Sequence, residues 1–242
     1  MYAVGLDGLV NQFNSILNYT FPTTPGDNFC DLLALSGLPI SFIVKKGYSL
    51  AEIRQIIFGS LLGNVQLEFL VINARFGFEQ SIGHELYFLF LYSILQIFCE
   101  LSYRASIDFD FRTWMTYTYL SFLTLSSMLS IEFYFMFYPN GIRVVPIDLS
   151  LLTPLALAHW IMQEGSRASS GGLYLCTNSF TPEDTKRLAL FLTTQYSLKV
   201  TTPKAPGKKG ALRIYVWVQS MDLLRSLVVT HMHPNMTYKI GV

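Results

Sequence analysis

Asn64 and Glu164 stand 100 positions apart, each at the C-terminal end of a short apolar segment. The first segment reads Ile57-Phe58-Gly59-Ser60-Leu61-Leu62-Gly63-Asn64-Val65. The second reads Leu155-Ala156-Leu157-Ala158-His159-Trp160-Ile161-Met162-Gln163-Glu164-Gly165-Ser166. Two helix ends of this kind can each present one oxygen to a shared cation. A hard dication such as Mg²⁺ favours anionic carboxylate oxygens. Here one end offers a carboxylate and the other only a neutral amide.

Other side chains are read for charge. Arg75 and Arg112 in the first half are placed to reach phosphates or to pair with nearby carboxylates. Arg167, Lys199, Lys204, Lys208, Lys209, Arg213 and Lys239 cluster in the last third. Lys204, Lys208 and Lys209 form either a solvated loop or a nucleic-acid contact, since basic side chains between strands position a backbone without reading sequence. His159 is expected to pack in a core. His231 and His233, two apart without a supporting Cys or carboxylate, are not expected to hold a metal. Asn64 suits a left-handed helix cap. Glu164 suits a solvated helix end or, at most, a residual metal ligand.

The elements that must position these groups follow from caps and periodicity. Ser49-Leu50-Ala51-Glu52 is a capping box, which predicts a helix from Leu50 to about Gly63. Strand character follows over 66–80, weakest at Asn73-Ala74. Ser81 is expected to start a helix reaching about Tyr103, then a strand over 111–121 and a helix over 124–138. Pro139-Asn140-Gly141 is a turn. Thr153-Pro154 is an N-cap with proline at the first helical position, and that helix should end near Gly165. A turn at Ser169–Gly172, a strand over 173–180 and a helix from Thr181-Pro182 to about Tyr196 come next. Strands over 198–202 and 212–218 and a last helix over 220–232, stopped by Pro234, complete the chain. The order helix–strand–strand–helix thus occurs twice. Residues 1–48 stand outside the repeat as an N-terminal extension, with a helix expected over 1–20 and a turn over 21–28. The two repeats are expected as lobes over 49–150 and 151–242.

Composition narrows the class. Of 242 residues, 51% are hydrophobic and 14% charged, so a large core is easy to build. The abundance of Phe and Tyr, 19 and 14, exceeds ordinary usage and matches organelle-encoded proteins. Cys30, Cys99 and Cys176 are odd in number and far apart, which argues against a disulfide framework. No secretory leader is expected at the N-terminus. The uncharged stretch 113–131 reads as strand then buried helix, and 86–99 is too short to cross a bilayer, which needs roughly 20 residues. Net charge is +1, but residues 1–164 hold seven basic and 13 acidic groups, giving −6, whereas residues 165–242 hold ten and three, giving +7. Only the C-terminal part has the electrostatic footprint of a nucleic-acid binder.

The paired segments, with Asn73-Ala74-Arg75-Phe76, Phe78-Glu79-Gln80-Ser81, Val144-Val145-Pro146, Leu175-Cys176-Thr177-Asn178 and Arg213-Ile214-Tyr215-Val216 between and after them, resemble the LAGLIDADG family of homing endonucleases and maturases, in its organellar branch. The resemblance covers roughly residues 49–240. It implies an α+β fold: a single-chain pseudo-two-fold pair of lobes, with two central helices packed through small residues (Gly59, Gly63, Ala156, Ala158) and two saddle-shaped antiparallel sheets laid in a major groove. It also implies an acidic, Mg²⁺-binding residue at each helix tip. This chain departs from that pattern. Asn64-Val65 stands where the family usually has Asp-Gly, and Gln163-Glu164 where the branch usually has two acids. Glu164 carries its charge one methylene further out than Asp, about 1.5 Å. Val65 is expected to obstruct a helix exit that often needs φ > 0. The resemblance therefore implies vestigial metal positions at Asn64 and Glu164 and no cofactor, with Mg²⁺ only where residual nuclease activity survives. The expected function is nuclease-deficient binding of structured RNA as a structural component of an organellar ribonucleoprotein such as the mitochondrial ribosome, with rRNA and other proteins of that particle as partners; a maturase acting on intron RNA is the second reading. An active or nicking DNA endonuclease is the alternative. An organellar, mitochondrial location follows from the branch.

Overall fold

The computed structural model describes residues 48–71, 73–99 and 102–242. The helix and turn expected over 1–20 and 21–28 lie outside the described residues, as does Cys30. Helix α1 (Leu50–Leu62) begins at Ser49, whose hydroxyl accepts from the Glu52 amide while the Glu52 carboxylate accepts from the Ser49 amide. This reciprocal cap satisfies donors that the first helical turn leaves open. The hairpin β1 (Gln66–Leu70) and β2 (Asn73–Ser81) follows, turning through Val71 at φ 58°. A 3₁₀ turn (Ile82–His84) leads into α2 (Glu85–Leu95). Then come β3 (Arg104–Asp110), β4 (Met115–Leu123) and α3 (Met128–Phe137).

The second half repeats this order. Helix α4 (Pro154–Glu164) starts on the Thr153 cap. It is followed by β5 (Gly165–Arg167), β6 (Leu173–Leu175), α5 (Pro182–Tyr196), β7 (Val200–Thr201), β8 (Ile214–Val216) and α6 (Met221–Val228). Both sheets are four-stranded and antiparallel, ordered β1-β2-β4-β3 and β5-β6-β8-β7. The second order reproduces the first strand for strand, which is the topology of a pseudo-two-fold pair. The repeat is therefore longer than the helix–strand–strand–helix unit expected.

Several boundaries differ from expectation. Residues 66–80 are a hairpin and not one strand, because Val71 reverses the chain. Ser81 makes no side-chain cap, regular helix stops at Leu95, and β3 occupies residues 104–110, to which no element was assigned. Pro234 does not simply stop the last helix; it opens a 3₁₀ segment, Pro234–Ile240.

Alternation explains the layering, since neighbouring strand residues point to opposite faces. Ala74, Phe76, Phe78, Leu120 and Phe122 bury one face of the first sheet. Phe78 stacks on Phe88 of α2 with centroids 5.8 Å apart, and Phe76 meets Phe133 of α3 edge-on at 6.0 Å. Leu173, Leu175, Ile214 and Val216 bury the matching face of the second sheet. Helices α1 and α4 pack side by side. Among the described residues no helix is long and apolar enough to cross a membrane.

Candidate nucleic-acid interface and helix tips

The crossing of α1 and α4 is set by small residues. A Cβ on Gly59 would lie 2.0 Å from the Ala156 carbonyl oxygen, and one on Gly63 would lie 2.5 Å from the Gln163 amide oxygen. Thr153 donates to Gln55 at 2.6 Å near the helix starts, and the Asn64 amide donates to Gln163 Oε1 at 2.7 Å near the ends. The helices therefore run parallel, and their C-terminal tips meet as the resemblance implied. Both tips are capped by a cation. Arg143 donates to the carbonyls of Leu61 and Gly63, and Lys239 Nζ donates to those of Met162 and Gln163 at 2.6 and 3.2 Å. These are carbonyls that a helix end leaves without intrahelical partners.

Glu164 sits among these groups. Burial pushes its carboxyl above the usual carboxylate range, against the pull of Lys239 and Arg143, and Cys176 hydrogen-bonds to it. Burial likewise lowers Lys239 to about 8, even with Glu164 and Cys176 beside it. Gln163 is buried rather than open to a ligand; its Nε2 donates to the Tyr87 hydroxyl at 3.0 Å, which lies 3.4 Å from His159 Nδ1. His159 is a core residue as expected, held neutral with its pKa lowered to about 3, chiefly by burial and also by the charge of His231.

This donor set does not fit a hard dication. It offers one carboxylate, the neutral Asn64 amide, a Gln163 amide already engaged and a thiol, with an ammonium and a guanidinium close by, whereas Mg²⁺ is usually held by carboxylates with water and phosphate oxygens. Among the described residues no three His, Cys, Asp or Glu side chains converge on a metal-sized site. Two expectations about the tips are corrected. Asn64 is not the cap, since Gly63 is, and neither Gly63 nor Gly165 has positive φ, at −96° and −71°. The positive-φ residues among the described ones do not include Val65, so that side chain blocks no left-handed exit and instead lies buried.

Strand register sorts the remaining predicted residues onto faces. On the outer face of the first sheet, away from its helices, Glu68 sits opposite Arg75, Glu79 opposite Ser121, Asp108 opposite Tyr117 and Asp110 opposite Met115. Arg75 is paired to Glu68 at 2.7 Å, and Arg112 to Asp110 at 3.0 Å. Each takes the carboxylate pairing that was one of its two expected roles. Arg104, which sequence reasoning did not single out, lies on this face and makes no ion pair with a described residue; with Arg75 and Ser121 it lines a groove of about 310 Å³.

The second sheet presents a different outer face. Ser166, Tyr174, Tyr215 and Thr201 form one row across all four strands. Tyr174 and Tyr215 have centroids 4.8 Å apart, and Trp217 follows at 6.0 Å. The Arg213 guanidinium lies 3.6 Å over Tyr174, and Lys199 lies 4.4 Å over Trp217. Lys204, Lys208 and Lys209 are exposed in the adjoining loop, with Lys208 donating to the Asn178 carbonyl at 2.7 Å. Two predicted contacts lie off this outer face. Arg167 pairs in register with Leu173 at the sheet edge and rests against Gly241, while remaining exposed. Lys239 is buried at the helix tip and not on the sheet. The aromatic row escaped sequence reasoning because strands of two or three residues leave almost no alternation to read.

Comparison with known proteins places these features in context. The family described as LAGLIDADG DNA endonuclease matches residues 54–224. The chain is 33% identical over 208 residues to the cytochrome b mRNA maturase bI2 of Saccharomyces cerevisiae, covering 78% of this chain and 47% of the relative. It is 32% identical over 203 residues to the protein of the same name from Debaryomyces hansenii, covering 78% of this chain and 74% of that one. The chain thus spans about half the length of the first relative and three quarters of the second. Among solved structures it is similar to the homing endonuclease I-WcaI bound to its DNA recognition sequence, with TM-score 0.72 and 20% identity over 83% of this chain and 91% of that one.

Proposed function

Since the chain belongs to the LAGLIDADG DNA endonuclease family, we propose that it is a non-cleaving member that binds structured intron RNA through its second lobe and acts as a maturase in an organelle. The observation that carries this reading is the inequality of the two outer faces. The first holds Glu68, Glu79, Asp108 and Asp110, whereas the second sets Lys199 and Arg213 among aromatic rings with no carboxylate in its rows. Phosphate neutralisation supplies most of the affinity for a duplex, so a fold with one acidic face is poorly built to embrace a DNA duplex symmetrically. The helix-tip chemistry agrees, because a single carboxylate with a raised pKa beside Lys239 is a weak site for Mg²⁺. The relatives named as mRNA maturases favour intron RNA over ribosomal RNA as the target.

Two measurements on the full chain test this. Crosslinking in the source organelle should recover an intron-containing precursor, not mature rRNA. The purified protein with Mg²⁺ or Mn²⁺ should leave the intronless flank of its resident locus uncut. Stoichiometric double-strand cleavage there would return the DNA endonuclease to first place.

A further inference from the structure

We infer that the outer face of the second sheet stacks unpaired nucleobases on the ladder Tyr174–Tyr215–Trp217. The inference rests on the RNA-binding reading above and names the form of nucleic acid that this face takes. The three rings lie on adjacent positions of β6 and β8 and just beyond, with successive centroids 4.8 and 6.0 Å apart. All three are partly exposed, while Leu173, Leu175, Ile214 and Val216 on the reverse of the same strands are fully buried. Burying rings of this size would be favourable, yet the fold leaves them on the surface away from its core.

The flanking cations are arranged as a stacking surface needs. Arg213 covers one side of Tyr174, its Cζ 3.6 Å from the ring centroid, and its buried Nε finds no hydrogen-bond partner among the described residues. A guanidinium plane is itself a platform for a base. Lys199 over Trp217 and the exposed lysines of the 204–209 loop supply charge for the phosphates between stacked bases. At the edge of the ladder, Ser170 shares a hydrogen bond with the Tyr215 hydroxyl at 2.7 Å, and Trp217 Nε1 donates to Thr201 at 3.3 Å. Those bonds fix two of the three rings in place before any ligand arrives. A paired helix keeps the π-faces of its bases inside its own stack, so only unpaired nucleotides can use such a ladder.

The test uses the full chain and single-stranded RNA of mixed sequence carrying one 2-aminopurine, with a duplex of the same sequence and the matching single-stranded DNA as comparators. Single-stranded RNA should bind about tenfold or more tighter than duplex, with quenched 2-aminopurine emission. Tyr215→Leu and Trp217→Leu should each weaken it about tenfold, within the range for base–aromatic stacking, and leave the salt dependence unchanged. Tyr215→Phe keeps the ring and should keep the affinity, and thermal melts of each variant separate a missing stacking partner from a damaged fold. Leucine variants that melt and bind like the parent, or a duplex bound as well as the single strand, would overturn the stacking surface while leaving RNA binding intact. No binding to any RNA would overturn both readings. Single-stranded DNA held as tightly as RNA would keep the ladder and remove the preference for RNA.

Discussion

Gln163 shows how one side chain ties the two lobes together. Its oxygen accepts from the Asn64 amide and its nitrogen donates to Tyr87, whose hydroxyl faces His159. This relay crosses from the half-buried tip of α1 through α4 to α2, with Gln163, Tyr87 and His159 all buried. Leaving a buried donor unpaired costs about 1–3 kcal/mol, so the relay holds the register of the helices. It also has a pH signature. His159 has its pKa lowered from 6.5 to about 3, so between those values the unfolded chain binds more protons than the fold. Its stabilising contribution is full above pH 6.5 and is lost as pH falls towards 3, at up to about 1.4 kcal/mol per pH unit. Glu164, with its pKa raised, works in the opposite sense as pH rises past 4.5. Subtracting the melting curve of His159→Gln from that of the parent removes the Glu164 part. The parent should lose more melting temperature than the variant between pH 6.5 and 4; parallel curves would mean that His159 is not held neutral.

At the level of elements, the α1–α4 pair is the part of the molecule least tolerant of added volume. A Cβ at Gly59 would meet three backbone atoms of Ala156 at 2.0, 2.7 and 2.8 Å. Backbone cannot swing aside as a side chain does, so the helices themselves must separate. Overpacking typically costs about 1–3 kcal/mol, and Gly59→Ala should fall at or beyond the upper end. Gly63→Ala meets the Gln163 side chain instead, which can move at the expense of its hydrogen bonds, and should cost less. Chemical denaturation of the two variants gives the order. Equal stabilities would show that the helices are not in backbone contact. Glu164→Gln, by contrast, should fold normally and retain RNA binding, because its carboxylate supports neither the crossing nor the aromatic row.

For the whole molecule the decisive property is that two lobes of one topology carry opposite surfaces. The pseudo-symmetry of strand order survives, while charge does not: residues 49–150 hold five basic and nine acidic groups, giving −4, and residues 151–242 hold ten and four, giving +6. Affinity for RNA should therefore respond to the two lobes unequally. Lys208→Glu with Lys209→Glu should weaken binding and flatten the log–log salt dependence by roughly 0.7–0.9 for each phosphate no longer neutralised. Glu79→Gln on the first sheet should leave the slope as it was. A slope unaltered by the lysine changes would leave that loop merely solvated.

The two helices were legible in the sequence because their signals are local: a capping box at Ser49 and Thr153-Pro154. The meeting of their tips, the α+β class and the paired lobes came from the family resemblance that the repeated segments carry. Charge asymmetry was legible too, since it needs only counting. What sequence order does not encode is which face a residue occupies. The turn at Val71 split one expected strand into two, and β3 lay in the gap between an expected helix and an expected strand. Arg75 and Arg112 found carboxylates, Arg167 came to rest at the sheet edge against Gly241, and Lys239 folded back onto the carbonyls of α4. Tyr174, Tyr215 and Trp217 came together from strands about 40 residues apart in the chain, in register across a sheet. Such pairings are set by long-range antiparallel hydrogen bonding, where a one-residue slip exchanges the two faces, and so only the tertiary structure could decide them.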